Sequence, residues 1–140
     1  MKKITKPTKA QDIKRKWHLV NVKGEILGRI STKIAPLLMG KSKPYFTRNL
    51  DCGDYVVVTN AKNVVMTGKK EKQKKYYRHS GYPGGLKVET LEKLRLRKPE
   101  ELIRHAVKGM LPQNKLRDRM LKRLFIFPEE EHLYGEKFKS

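Results

Sequence analysis

The chain has 140 residues, one domain's worth, enough to bury roughly two-thirds of its unfolded surface. Its 34 Lys and Arg against 14 Asp and Glu give a formal charge of +20, which disfavours the compact state by self-repulsion unless a polyanion neutralises it, so nucleic acid is the leading partner. Composition argues against several other classes. No long apolar segment or lipidation motif points to a membrane, the single Cys52 excludes an intramolecular disulfide, and His18, His79, His105 and His132 are scattered away from any metal-ligand spacing with it. The basic N-terminus is not followed by an apolar signal core, which with the cysteine count favours a cytosol-like compartment.

Residues 1–16 carry seven basic residues, one acidic residue and almost no apolar pattern, and are expected to form a flexible arm. Residues 17–22 (WHLVNV) alternate as a strand does, with Lys23-Gly24-Glu25 as the turn after it. Leu27, Ile30, Ile34, Leu37 and Leu38 then recur at helical spacing over residues 26–39, so one face should pack on a sheet while Arg29, Thr32 and Lys33 lie elsewhere. Pro36 opposes the carbonyl of Thr32 and predicts a kink or an early end, and Gly40 fits a C-cap.

Residues 51–61 (DCGDYVVVTNA) hold Tyr55, Val56, Val57 and Val58, an apolar run without alternation. Such a run is a strand covered on both faces, as in the middle of an α/β sheet. Strand, helix and strand from residue 17 to 59 thus make one βαβ unit, for which a right-handed crossover is expected. The sequence Gly40-Lys41-Ser42 invites a phosphate-loop reading, but that motif needs glycine where this chain has Ala35, and its loop opens a helix whereas this one closes it. Nucleotide hydrolysis is therefore rejected. Lys41 and Lys43, followed by Pro44, Tyr45, Phe46 and Arg48, fit either polyanion contact or a solvated loop.

Residues 63–67 (NVVMT) read as a second short strand or a turn before Gly68. Residues 69–75 (KKEKQKK) hold five lysines and one glutamate, too much like charge to pack and well suited to a phosphate backbone. Tyr76, Tyr77, Arg78 and His79 form a strand or loop edge that could stack on bases or contact riboses, and residues 80–85 (SGYPGG) let the backbone turn sharply. The bland alternative is that one tyrosine is core and the glycines only make turns. Residues 90–96 predict a short helix, and Pro99 suits the first turn of another with Leu102, Ile103, Ala106, Val107 and Met110 inward, ended by Gly109 and Pro112. A further short helix spans residues 115–122, with Leu116, Met120 and Leu121 inward and Lys115, Arg117, Arg119 and Lys122 outward. Residues 124–127 (LFIF) are a last buried strand stopped by Pro128, and residues 129–140 a tail with little core content.

The segments LGRISTKIA (27–35), GKSKPYFT (40–47), DCGDYVVVTNA (51–61), MTGKK (66–70), YYRHSGYPGGLK (76–87) and AVKGMLPQN (106–114) stand in an order and spacing that resemble the bacterial form of the large-subunit ribosomal protein L13 family. The resemblance spans residues 17–124. It implies an α/β fold, specifically a single three-layer α/β/α domain over residues 17–128 with a mostly parallel sheet of about four strands and basic loop extensions. It also implies binding of large-subunit rRNA beside neighbouring large-subunit proteins, help in early subunit assembly, no catalytic residue, no cofactor, and residence in a cytoplasmic or organellar ribosome. Candidate RNA-binding residues are Arg29, Lys41, Lys43 and Arg48; Lys69, Lys70, Lys72, Lys74 and Lys75; Tyr76, Tyr77, Arg78 and His79; Gly81, Tyr82, Gly84, Gly85 and Lys87; and Lys108, Asn114, Lys115 and Arg119. Two departures stand out: Arg117-Asp118 replaces the usual Gly-Arg, and the C-terminal His-Pro-His pattern is replaced around His132-Leu133-Tyr134.

Two rivals come from other classes. A nuclease could use Asp51 and Asp54 to hold a metal and His79 to move protons, although both aspartates read equally as turn and capping residues. A regulator could bind messenger RNA with the same basic surface away from the ribosome.

Overall fold

A computed structural model describes residues 6–139. Its centre is a parallel sheet in the order β1 (Trp17–Asn21), β2 (Tyr55–Thr59) and β5 (Leu124–Ile126), with Trp17 opposite Tyr55 and Val57 opposite Phe125. The sheet therefore has three strands, not about four. Residues 63–67 supply only a single parallel bridge, Val65 to Ile26, because the chain turns through Ala61–Asn63 before it and through Gly68 after it. The remaining strands, β3 (Lys75–His79) and β4 (Leu86–Thr90), form a separate antiparallel hairpin.

Helix α1 (Leu27–Met39) connects β1 to β2, and α2 (Lys70–Gln73) precedes the hairpin. After it come α3 (Leu91–Arg97), α4 (Pro99–Met110) and α5 (Arg117–Leu121). Helix α1 continues through Pro36 instead of ending there. The carbonyl opposite the proline belongs to exposed Thr32, and the helix closes on Gly40 at φ 80°, whose N–H donates to Pro36 O at 2.9 Å. Thr90 caps α3 through its hydroxyl, and Pro99 occupies the first turn of α4, where a missing N–H costs nothing.

Strand alternation divides the core. Val56, Val58, Leu124 and Ile126 face Ile30, Ile34 and Leu38 of α1 and Ile103 and Val107 of α4. The opposite face carries Trp17, Tyr55 and Phe125. Trp17 stacks on Tyr55 at 4.4 Å and 11°, and Tyr134 lies 4.5 Å from Phe125 and 5.2 Å from Trp17. The third layer is thus a C-terminal segment with a 3-10 turn over Gly135–Phe138, not an α-helix. The tail contributes more to packing than its charge suggested, because its aromatics cap a face that would otherwise leave Trp17 in water.

The end of α1 meets residues 51–54 without space for a side chain. A Cβ at position 53 would overlap the carbonyl of Leu38, and one at position 40 would overlap that of Cys52. Arg123, almost fully buried, binds both sides of the junction: Nη2 donates to Leu38 O at 2.9 Å and Nε to Asp54 O at 3.3 Å. Its guanidinium also grips the Asp51 carboxylate in a two-pronged ion pair. Arg15 donates to Gly53 O at 2.5 Å and Asp51 O at 3.0 Å, while Thr8 donates to Tyr45 O at 2.8 Å. Residues 6–16 of the arm therefore run along the body; residues 1–5 lie outside the described residues.

Asp54 collects Lys43 Nζ at 2.5 Å, the Lys16 N–H at 3.0 Å and His18 Nε2 at 2.8 Å. Burial alone would raise its pKa, but these three donors outweigh burial and hold it below the ordinary aspartate value.

Two outcomes follow from this junction. Gly53→Ala forces backbone apart and should lower stability by about 3 kcal/mol, whereas Gly109→Ala, in the last turn of α4 with open space around it, should raise it by about 0.5 to 1 kcal/mol; urea midpoints measure both. Because the folded state lowers the pKa of Asp54, its stabilisation is complete above its ordinary value of 3.8 and is lost as pH falls through the lower folded value. Thermal melts carried from about pH 6 down to about pH 2, through and below the ordinary value of 3.8, should show Asp54→Asn flattening the acid limb of the wild-type profile.

Candidate nucleic-acid interface

The lysine run from residue 69 to 75 folds as α2 and its flanks, with Lys69, Lys70, Lys72, Lys74 and Lys75 all exposed. Its one acidic residue does the fastening. Glu71 Oε1 pairs with Arg95 Nη1 at 2.9 Å, and Arg95 Nη2 donates to Val64 O at 2.9 Å, so the segment is tied to α3 while its ammonium groups face water. Five like charges held side by side repel one another, and phosphates relieve that repulsion.

The hairpin has two different faces. Tyr76 and Arg78 point one way with Glu89 and Lys87 across from them; Tyr77 and His79 point the other with Val88 and Leu86. Tyr76 rests against the buried cluster of Leu91, Leu94 and Leu102, and its ring lies 5.3 Å from His105. Burial raises its hydroxyl pKa. This tyrosine is the core member of the pair, whereas Tyr77 is 65% exposed. Glu89 anchors the inner face by accepting from Arg97 Nε at 3.0 Å and Nη2 at 2.8 Å, and Arg97 holds its pKa down. Arg78 reaches the same carboxylate at 3.6 Å, so part of its charge is spent within the hairpin.

At the tip, Gly81 and Gly84 have φ of 86° and 69°, and Ser80 N–H donates to Gly85 O at 3.1 Å. His79 Nδ1 accepts the Gly81 N–H at 2.9 Å, which fixes the ring against the turn. Tyr82 projects from it with 75% of its surface exposed, and Lys87 is also exposed. Leu86 and Val88 beside Tyr77 went unrecognised in the sequence as part of a strand. The alternating pattern LKVET after a Pro-Gly-Gly turn was the available signal.

A second surface forms where the loop after α1 meets the loop after α4. Lys41, Arg48 and Asn114 edge a groove of about 410 Å³ whose walls are mainly Phe46, Leu50, Leu111 and methionines. Arg29, Lys108, Lys115 and Arg119 are exposed on the helical side of the molecule but do not line it. Lys43 departs from the expected role of phosphate contact. Its ammonium is consumed inside the protein by Asp54 Oδ1, by Cys52 O at 2.8 Å and by Lys14 O at 2.6 Å, which accounts for its three donors.

The nuclease arrangement is not assembled. Asp51 is paired with Arg123 and lies 3.8 Å from Arg15, Asp54 is paired with Lys43 and His18, and His79 is bound to its own turn. Among the described residues no group of three His, Cys, Asp or Glu side chains could hold a metal ion, and no helix is long and apolar enough to cross a membrane.

Residues 15–133 match the family model described as ribosomal protein L13. The chain is 53% identical over 128 residues to the large ribosomal subunit protein uL13 of Dehalococcoides mccartyi strain 195, covering 91% of this chain and 90% of that protein. It is 52% identical to the same-named protein of Aquifex aeolicus, over 89% of this chain and 86% of that one, and 52% identical to that of Clostridioides difficile, over 94% and 90%. On these grounds the chain belongs to the ribosomal protein L13 family.

Proposed function

We propose that this protein is a structural constituent of the large ribosomal subunit in the cytoplasm, where it binds large-subunit rRNA, sits among neighbouring large-subunit proteins and assists early assembly. The observation that carries the reading is the pairing of family membership with a basic helix and hairpin, α2 to β4, whose lysines and outer tyrosines Tyr77 and Tyr82 are exposed. The lysines of residues 69–75 lie along phosphates, Tyr77 and Tyr82 stack on unpaired bases, and the glycine tip lets backbone approach the RNA closely. Lys41 and Arg48 provide a second contact region, and Lys87, Lys108, Lys115, Arg119 and Arg29 add charge around both. The lysines of α2 and the Lys41 and Arg48 loop stand on different elements, so binding at both would let the protein hold two rRNA segments together, a physical basis for an assembly role.

The testing experiment compares binding to large-subunit rRNA fragments and to an equally long unrelated structured RNA across a salt series. Preference for a ribosomal fragment that persists at physiological salt is expected; equal binding to both RNAs, lost together, would overturn specific recognition. For contacts to about 6 to 10 phosphates, affinity should fall by roughly 10³ to 10⁵ between about 50 and 200 mM salt, taking DNA as the guide. Co-sedimentation with large subunits in high salt separates this role from that of a messenger-RNA regulator, which would remain in light fractions.

Lysines should divide by location. Lys72→Ala should reduce the slope of log affinity against log salt by about 1 while leaving the melting temperature unchanged. Lys43→Met should leave that slope near the wild-type value but destabilise the fold by about 3 kcal/mol, because it leaves Asp54 buried without its cation.

A further inference from the structure

The groove between the loop after α1 and the loop after α4 has features that phosphate binding alone does not use. Its volume of about 410 Å³ lies within the usual range of about 300 to 1,000 Å³ for sites that enclose a small organic group. Phe46 supplies an aromatic ring, and methionine side chains complete a soft apolar wall able to adapt to a flat ligand. No acidic residue lines it.

Two polar groups stand in or beside this wall. Thr47 lines this groove and the neighbouring cleft beside Tyr45, and its hydroxyl is buried without a hydrogen-bond partner among the described residues, a cost of about 1 to 3 kcal/mol. Asn114 Oδ1 accepts the Leu116 N–H at 3.1 Å, which orients the amide and leaves its Nδ2 donors without a partner among the described residues. At the edge, Lys41 and Arg48 are both exposed and cationic. A flat heteroaromatic group with hydrogen-bonding edges, attached to an anionic backbone, satisfies all of these at once.

The geometry points to a pocket for one unstacked rRNA nucleotide: the base enters beside Phe46, Thr47 and Asn114 meet its edge, and Lys41 and Arg48 hold the flanking phosphates. This rests on the rRNA-binding reading above and adds a base-specific subsite to it. An apolar side chain from a neighbouring protein would fill the walls but would leave the two cations and the amide unanswered.

The test is ultraviolet crosslinking of the full chain to full-length large-subunit rRNA, with nucleotide adducts located by peptide mass spectrometry, combined with affinity measurements across a salt series. A nucleotide adduct on Phe46 or its immediate neighbours is expected. Phe46→Leu should weaken rRNA binding by about 5- to 100-fold at fixed salt with an unchanged salt slope, since stacking releases no counterions. Asn114→Ser, which keeps an oxygen for the Leu116 N–H but removes the amide donors, should weaken binding in the same slope-preserving way. A wild-type melting temperature for Asn114→Ser excludes a folding defect as the cause.

Adducts confined to residues 69–87, with both variants binding as wild type, would overturn the pocket while leaving rRNA binding intact. Absence of any adduct, with no preference for ribosomal over unrelated RNA, would remove the underlying reading as well. A peptide of another protein crosslinked in the groove of intact subunits would overturn the nucleotide as occupant.

Discussion

The carbonyl of Leu38, at the end of α1, is approached by the backbone of Gly53 and by the guanidinium of Arg123, and the rest of the molecule depends on this contact. Arg123 stands just before β5, Asp51 and Asp54 just before β2, and Leu38 in the last turn of α1. One buried cation thereby fixes where a helix ends, where the central strand begins and where the last strand joins it. Removing a single partner from such a group costs more than the pair itself contributes, because the remaining charge stays buried. The adjoining Asp54 extends the arrangement to β1 through His18 and to the loop after α1 through Lys43. Both basic surfaces project from elements set by this core, one through the loop after α1 and the other through α2 and the hairpin.

The charge of +20 is less uniform in use than in sequence. Several carboxylates bind particular cations and thereby orient the others: Asp51 holds Arg123, Asp54 holds Lys43, Glu71 holds Arg95 and Glu89 holds Arg97. These pairs act within the fold. The cations left over are concentrated where glycine and aromatic residues also lie, and self-repulsion there is the energetic reserve that a polyanion releases on binding.

Much of the fold was legible because it follows periodicity. The valine run of β2, the helical spacing of α1 and α4, the short helix near residues 90–96, the Pro99 signal and the βαβ order from residue 17 to 59 were all read from local pattern and recur in the structure. What escaped depended on distant partners. Lys43 reads like any lysine beside an aromatic until Asp54 and the Lys14 and Cys52 carbonyls are brought to its ammonium from other segments. The tail reads as polar because Tyr134 and Phe138 are isolated among charges, and only the rings of Trp17 and Phe125 on the outer face of the sheet give them a surface to cover. In the same way the two tyrosines of the hairpin are equivalent in sequence, and strand alternation against α3 and α4 sends Tyr76 inward and Tyr77 outward. The number of strands was overstated because residues 63–67 have strand composition but room for only one bridge.

The division between cations that build the fold and cations proposed to face RNA is open to direct measurement by chemical acetylation of each lysine, read by mass spectrometry with and without large-subunit rRNA. The account expects Lys41, Lys69, Lys72 and Lys75 to react readily in the free protein and to be protected by rRNA, and Lys43 to be unreactive in both states. A Lys43 that reacts freely and becomes protected only with RNA, or hairpin lysines equally reactive in both states, would contradict it.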